Sequence, residues 1–420
     1  MIDINIIRQT PEVVKASLIK RARDPQIVDE FLSVDQSWKN LQTEIDNLKA
    51  KQKEKGSSDI EGAKALKQTV ISKTSEYQSL DNKRNELLLQ IPNILLDSVP
   101  EGKNEDENKV IKTWGEIPVF DFPVKDHLEL GTALDLIDNE RASKVTGARF
   151  TYLKGGIVHL QFALSQFVLK TLTSKEIIAE IASKISPALS SRPFIPVLPP
   201  TLVKTDTYIK MGRLTPENKD DKYKIEGEEL YLIGSAEHTL GPVHMNETFN
   251  PEELPIRYLG YSTSFRREAG TYGKDTKGIL RMHQFDKWEM ETFTTKDQGE
   301  AEHELLLAVQ EYLMQKLEIP YQVVANCAGD TQDPNAHQYD IEAWLPGQAK
   351  YRETHSADYM TDYQSRRLKI KVGKEFVYMN DATALSMRPL IAILENNQTK
   401  EGKIKIPKVL VPYTGFEVIE

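Results

Sequence analysis

Cysteine is nearly missing from this chain: Cys327 stands alone among 420 residues. One thiol builds neither a disulfide framework nor a Cys-rich zinc site, so no zinc is expected. A reducing cytoplasm is the simplest home for such a sequence. No apolar run reaches membrane-spanning length, so no membrane partner is expected either. The start, Met1 to Arg8, lacks a basic segment followed by an apolar one. Asp3 is also out of place in a transit peptide, and no targeting segment is read there. Basic excess is absent as well. A formal net charge of −9 argues against wholesale nucleic-acid binding by a basic surface. Local patches remain open to RNA, because phosphate contacts are counted locally. There is no internal repeat and no low-complexity tract.

What is present is an ordinary globular composition, 39% hydrophobic and 28% charged, in a chain long enough for two domains. The first hundred residues have their own period. Ile27, Phe31, Val34, Trp38, Leu41, Ile45 and Leu48 follow a 4-3-4-3-4-3 spacing, the seam of a coiled-coil helix. After a break at Gly56–Gly62, a second seam runs through Ala63, Leu66, Val70, Tyr77, Leu80, Leu87 and Ile91. Lys73 and Arg84 interrupt it and Pro92 ends it. Two such helices joined by a short turn predict an antiparallel hairpin about 40 Å long. That arm is too thin for a catalytic pocket and suited to reach. Its tip is locally basic, with Lys49, Lys51, Lys53, Lys55, Lys64, Lys67 and Lys73 against Glu54, Asp59 and Glu61.

Val99 to Glu116 is polar and reads as a linker, which places a domain boundary between residues 112 and 113. Beyond it, Phe150 to Phe167 suggests a strand entering a helix. Phe194 to Val203, with Pro196, Pro199 and Pro200, suggests an extended segment at a sheet edge. Gly402 to Tyr413 reads as a returning strand.

The chemistry concentrates in Ile256 to Phe293. Ile256–Glu268 and Ile279–Phe293 read as two strands joined by a polar, Gly-bearing loop. Residues two apart share a strand face. Arg266 and Glu268 therefore point one way, and so do Arg281, His283, Phe285 and Glu289. Aligned, these place cations, carboxylates and an aromatic ring on one side of a sheet. Arginine suits a phosphate, Phe285 a purine ring, and a carboxylate a cationic amine. The set fits a nucleotide beside an amino-bearing substrate.

The run Phe265-Arg266-Arg267-Glu268, then Arg281-Met282-His283-Gln284-Phe285-Asp286-Lys287-Trp288-Glu289, resembles motif 2 of the class II aminoacyl-tRNA synthetases, in detail that of the seryl-tRNA synthetases. Phe194–Val203 is similar to motif 1, with Pro200 at its characteristic proline. Asn380–Asn396 is similar to motif 3. The resemblance covers the whole chain. It implies an α+β protein: an N-terminal tRNA-binding domain (1–112) with a two-helix coiled-coil arm, then a class II catalytic domain (113–420) with an antiparallel sheet flanked by helices. It implies ATP-dependent activation of L-serine and transfer to the 3′-hydroxyl of tRNA(Ser), a reaction the family usually extends to selenocysteine tRNA. A two-fold homodimer is also implied.

Residue roles follow from the same resemblance. Arg266, Glu268 and Arg388 are expected to be catalytic. Arg266, Arg267, Glu268, Met282, Phe285, Glu353, Thr354, His355, Ser356 and Arg388 are expected around ATP. Glu353 and Ser356 are expected to hold Mg²⁺, which prefers oxygen ligands. Ser235, Ala236, Glu237, Arg266 and Glu289 are expected around serine. Counting back from Arg388 without a gap adds Ala382 to that set, and a one-residue shift adds Thr383. Lys49, Lys51, Lys53, Lys55, Lys64 and Lys67 are expected to grip the long variable arm of the tRNA, whose acceptor end goes to the catalytic domain.

Overall fold

The computed structural model describes residues 1–56, 59–268 and 278–420. It divides into two compact units, Met1–Leu95 and Leu96–Glu420.

In the first unit, Asp3 caps α1 (Ile4–Gln9) by accepting from the Asn5 N–H, and Pro11 opens α2 (Pro11–Lys20). α3 (Gln26–Lys55) and α4 (Ile60–Gln90) pack together as the arm. The ion pairs Glu44–Lys73 and Asp35–Arg84 show the helices running in opposite directions. Phe31, Val34, Leu41, Ile45, Leu87 and Ile91 of the predicted seams are buried, and Trp38 stacks on Tyr77 at 5.3 Å. At the head of the first seam Val28, not Ile27, is the buried residue. The two polar interruptions have partners: Lys73 Nζ lies 2.8 Å from Glu44 Oε2, and Arg84 Nε lies 2.7 Å from Asp35 Oδ1.

Asp35 also receives Arg8 at 2.8 Å and Lys39 at 3.1 Å, and its side chain is only 2% exposed. Burial opposes its ionisation, but the hydrogen-bonded cations outweigh burial and hold the carboxyl well below its ordinary 3.8. Removing one partner of a buried charge network costs about 3–5 kcal/mol. Asp35→Ala is therefore expected to lower the unfolding free energy of the arm, measured by urea titration, by about that much. A depressed folded-state pKa gives stability that is complete above the unfolded value and is lost as pH falls through it. The wild-type arm should weaken on acidification below about pH 4, whereas the variant should show a flatter acid limb.

The second unit is built on an eight-stranded sheet. Its strands are β1 (Lys109–Trp114), β2 (Ile195–Val197), β3 (Ile256–Phe265), β4 (Gln284–Thr294), β5 (Tyr321–Ala325), β6 (His337–Leu345), β7 (Lys350–Thr361) and β8 (Tyr378–Leu385). The order is β1-β5-β6-β7-β8-β4-β3-β2, antiparallel except for the parallel β2–β3 pair. β1 lies inside the stretch expected to be a linker, and residues 96–112 belong to this second unit. The domain boundary moves accordingly from 112/113 to 95/96. β1 carries no apolar alternation because it is an edge strand whose side chains, Trp114 aside, are exposed.

One face of the sheet is the core. Leu259, Met290, Ala382 and Ala357 align across β3, β4, β8 and β7 and join the main apolar cluster. α7 (Gly299–Lys316) and α8 (Met387–Asn396) pack there, preceded in the chain by α5 (His127–Ala133) and α6 (Gly156–Leu172). Gln310 of α7 donates to the Ser356 and Thr383 carbonyls at 2.7 and 2.9 Å. The expected strand–helix at 150–167 is a short strand followed by α6. The expected strand at 402–413 is only Ile404–Lys405, because Pro407 and Pro412 turn the chain into short helical pieces. Among the described residues no helix is long and apolar enough to cross a membrane.

Candidate active site

The other face of the sheet carries the polar residues. On β4, Phe285, Lys287, Glu289 and Glu291 alternate onto it. Register sets Thr383 and Gly260 beside Glu289, and Asp381 beside Glu291. Gly260 is required by close approach: an added Cβ would meet Leu240 Cδ1 at 2.4 Å and Ala236 Cβ at 3.2 Å. That space admits the one-turn helix Glu237–Leu240, which brings Ser235 and Glu237 over the strands. Ser235 Oγ donates to Glu289 Oε2 at 2.5 Å. Lys287 Nζ donates to Ser235 Oγ at 3.1 Å and pairs with Glu289.

Of the two motif 3 alternatives, Thr383 shares a face with Glu289. Ala382 points the opposite way into the core with Met290, so its side chain does not face this pocket. Ala236 is fully buried against Gly260 and shapes the loop without contributing a polar group.

The pocket floor is charged to a degree the motifs do not announce. Arg213, 7% exposed, reaches Glu237 at 3.1 Å, Asp358 at 3.1 Å and Asp381 at 2.9 Å. Glu237, Glu289 and Asp381 bring ligand oxygens within 4.8 Å of one another. Glu291 is fully buried beside them, and neither carboxylate oxygen has a hydrogen-bond partner among the described residues. Burial opposes ionisation of Glu237, but the Arg213 guanidinium outweighs it and holds the carboxyl well below the usual range. Burial pushes Glu289 up, against the pull of Lys287. Burial and the charge of Asp381 push Glu291 far up, and burial and Glu237 do the same to Asp381. Burial drives His238 down to about 4, so its ring is neutral.

Next to this pocket lie the residues expected around the nucleotide. The strand pair is shorter than expected: β3 ends at Phe265 and β4 begins at Gln284. Glu268 has left the strand, with φ of +49°. Pairing continues irregularly, with Arg266 N–H donating to the His283 carbonyl at 3.0 Å and His283 Nδ1 donating to the Arg266 carbonyl at 2.9 Å. Arg281 holds the Glu268 carboxylate at 3.0 Å. The Arg266 guanidinium lies 5.3 Å from the Phe285 ring centroid and donates to the Gly234 carbonyl at 3.2 Å. Arg388 enters α8 and reaches Glu353 Oε2 at 3.0 Å, whose charge raises its pKa further.

Several expected nucleotide contacts sit elsewhere. Met282 is packed in the core. Thr354 donates its hydroxyl to the Ile341 carbonyl at 3.1 Å, and His355 is buried against it, driven down to about 3 by burial. Both side chains are engaged within the sheet. Arg267 is exposed and lines a separate cavity with Lys222 and Tyr223. The bulge that displaces Thr354 also puts Glu353 and Ser356 on one face of β7, opposite Glu342 and Asp340 of β6. These are all oxygen donors, and Glu353 is half-exposed beside Arg388. The set fits a hard divalent cation such as Mg²⁺. Sequence reasoning missed Arg213, Lys287, Glu291, Asp358 and Asp381. Alternation along β4 from Glu289 would have found Lys287 and Glu291. No local pattern marks Arg213.

Residues 222–397 match the model of the tRNA synthetase class II core domain (G, H, P, S and T), and residues 1–95 match the seryl-tRNA synthetase N-terminal domain. The serine–tRNA ligase of Dictyoglomus turgidum is 39% identical over 438 residues, covering 100% of this chain and 99% of the relative. The chain belongs to the seryl-tRNA synthetase family. The Thermotoga maritima serine–tRNA ligase is 38% identical, with 100% of both chains covered. The crystal structure of seryl-tRNA synthetase from Pyrococcus horikoshii complexed with ATP superposes with a TM-score of 0.90 at 36% identity, covering 100% of this chain and 99% of that one. The cytoplasmic serine–tRNA ligase from Naegleria fowleri in complex with AMP gives 0.88 at 29% identity over the same shares. The two-unit plan, helical arm and antiparallel core, is that of the seryl-tRNA synthetases.

Proposed function

We propose that this chain joins L-serine to tRNA(Ser) in two steps and works in the cytoplasm. The observation that carries the reading is the meeting, on one sheet face, of the Ser235–Glu237–Glu289–Thr383 pocket with Arg266 and Phe285. The serine ammonium sits among Glu237, Glu289 and Asp381. The Thr383 and Ser235 hydroxyls and Glu289 read the serine hydroxyl, so alanine would leave buried polar groups unpaired and be rejected. Serine's carboxylate attacks the α-phosphorus of ATP in line and pyrophosphate leaves. No protein nucleophile takes part, and positioning with charge stabilisation accounts for the rate. Arg266 holds the α-phosphate, Glu268 accepts from the adenine amino group and Phe285 stacks on the ring. Arg388 folds the pyrophosphate back. Glu353 and Ser356 would hold Mg²⁺, which would neutralise charge on the leaving group.

The 3′-hydroxyl of the tRNA then attacks the adenylate. The arm grips the long variable arm by shape and phosphate contacts, and selenocysteine tRNA falls within the same reading. Lys49, Lys51, Lys53, Lys55, Lys64 and Lys67 are all exposed, which supports that role. Exposed Ile195, Leu198 and Leu202 around Pro196 and Pro200 support a two-fold homodimer through this segment. Changing Lys49, Lys51, Lys53 and Lys55 together to Ala is expected to lower tRNA charging about ten-fold or more at moderate salt, while serine-dependent pyrophosphate exchange stays at the wild-type level. Loss of both activities in a folded protein would remove the arm from its assigned role.

A further inference from the structure

A second cavity, of about 430 Å³, lies beside the residues expected around the nucleotide and takes no part in the chemistry above. That is the size of a small-ligand site. Among the described residues its lining is Lys219, Lys222, Lys224 and Arg267, the carboxylate of Asp220, and the rings of Tyr223 and Tyr231. Lys224 is partly satisfied, 3.1 Å from Glu229 and 5.9 Å from the Tyr231 ring centroid. Lys222 is not. Burial, then the charge of Arg266, pushes its ammonium down to about 8, and neighbouring carboxylates do not restore it. Four cations against fewer carboxylates favour an anionic ligand. Cations interleaved with aromatic rings are the combination that holds single-stranded nucleic acid, phosphates on the cations and bases on the rings.

The cavity is built on the same backbone as the site of adenylate formation. Arg267, next in the chain to Arg266, donates its N–H to the Asp221 carbonyl at 3.1 Å. Leu232 N–H, two residues before Gly234 and the Ser235 loop, donates to the Tyr223 carbonyl at 2.9 Å. The Tyr223 ring meets His283 edge-on at 6.2 Å, and His283 is the residue that pairs with the Arg266 backbone. These contacts join the cavity wall to the segment that carries Arg266.

We propose that this cavity seats the 3′-terminal single strand of the tRNA, taking the phosphate and base of the nucleotide preceding the one that is acylated. The assignment rests on the tRNA-ligase reading above. A free nucleotide offers the same phosphate and ring, so the test separates the two sources. The full-length Lys219→Ala/Lys224→Ala variant is compared with wild type in tRNA charging across a salt series and in serine-dependent pyrophosphate exchange. Both proteins are also compared in equilibrium binding of intact tRNA, of tRNA lacking its last two nucleotides, and of 5′-CMP. The expected result is a fall of about ten-fold in kcat/KM for tRNA, with a log–log salt slope shallower by about 0.7, the value for one single-strand phosphate. Pyrophosphate exchange should stay within two-fold, and shortened tRNA should bind both proteins equally. Wild-type charging and salt slope in the variant would overturn the assignment. So would equal weakening for intact and shortened tRNA. Loss of 5′-CMP binding with charging unchanged would make it a free-nucleotide site and overturn it too. Absence of serine-dependent exchange in the wild type would strike the ligase reading instead.

Discussion

Arg266→Ala is expected to lower serine-dependent ATP–pyrophosphate exchange by about 10³-fold or more in a protein that remains folded. Removing one preorganised donor from developing charge costs about 10²–10³ in kcat, and Arg266 is asked to do more than donate. In the proposed reaction it faces the α-phosphate; it stands 5.3 Å from the Phe285 ring centroid and is tied to the Gly234 carbonyl at 3.2 Å. Its loss removes charge stabilisation and one contact linking the two halves of the site. Its structural share is small, because a single hydrogen bond contributes about 1 kcal/mol and the strands beneath it pair without it. The melting temperature should therefore hardly change while exchange collapses. Exchange within ten-fold of wild type would remove Arg266 from its role.

Arg213→Ala should do the reverse in part, costing stability first. Arg213 is the shared partner of Glu237, Asp358 and Asp381. Without it, carboxylates already pushed up by burial face one another with less compensation. Breaking one buried pair costs about 3–5 kcal/mol, and the urea midpoint should fall accordingly. The KM for serine should also rise, because Glu237 loses the cation that fixes its orientation and its charge. Replacing Asp358 and Asp381 by Asn in the same chain tests the cause. If uncompensated charge is the damage, the triple variant recovers stability relative to Arg213→Ala. If the empty volume is the damage, it does not. An unchanged midpoint and an unchanged KM in Arg213→Ala would contradict the account.

These two residues mark what was legible in the sequence. Arg266 sits in a long motif whose alternation places it opposite an aromatic ring and a carboxylate, so its neighbourhood can be read from the chain. Arg213 follows Gly212 in a stretch with no motif, and only the tertiary fold carries it beneath three carboxylates from three other segments. The arm was legible because a heptad seam is a local signal. Its two polar interruptions looked like faults until the opposite helix supplied Glu44 and Asp35. Edge strand β1 was hidden because its exposed side chains carry no alternation. Thr383 was undecided against Ala382 because a strand's two faces are told apart only by its neighbours. Met282, Thr354 and His355 lie beside site residues in sequence yet turn into the core, where backbone position and side-chain direction part company.

The central claim is that the polar face of this sheet activates serine. Serine-dependent ATP–pyrophosphate exchange by the purified wild-type protein tests it most directly, with threonine, alanine and glycine run in parallel. Exchange with serine alone is expected. Exchange with another of these amino acids instead would contradict the assignment of the Ser235–Glu237–Glu289–Thr383 pocket. Folded protein that binds ATP and exchanges with none of them would contradict the catalytic reading altogether.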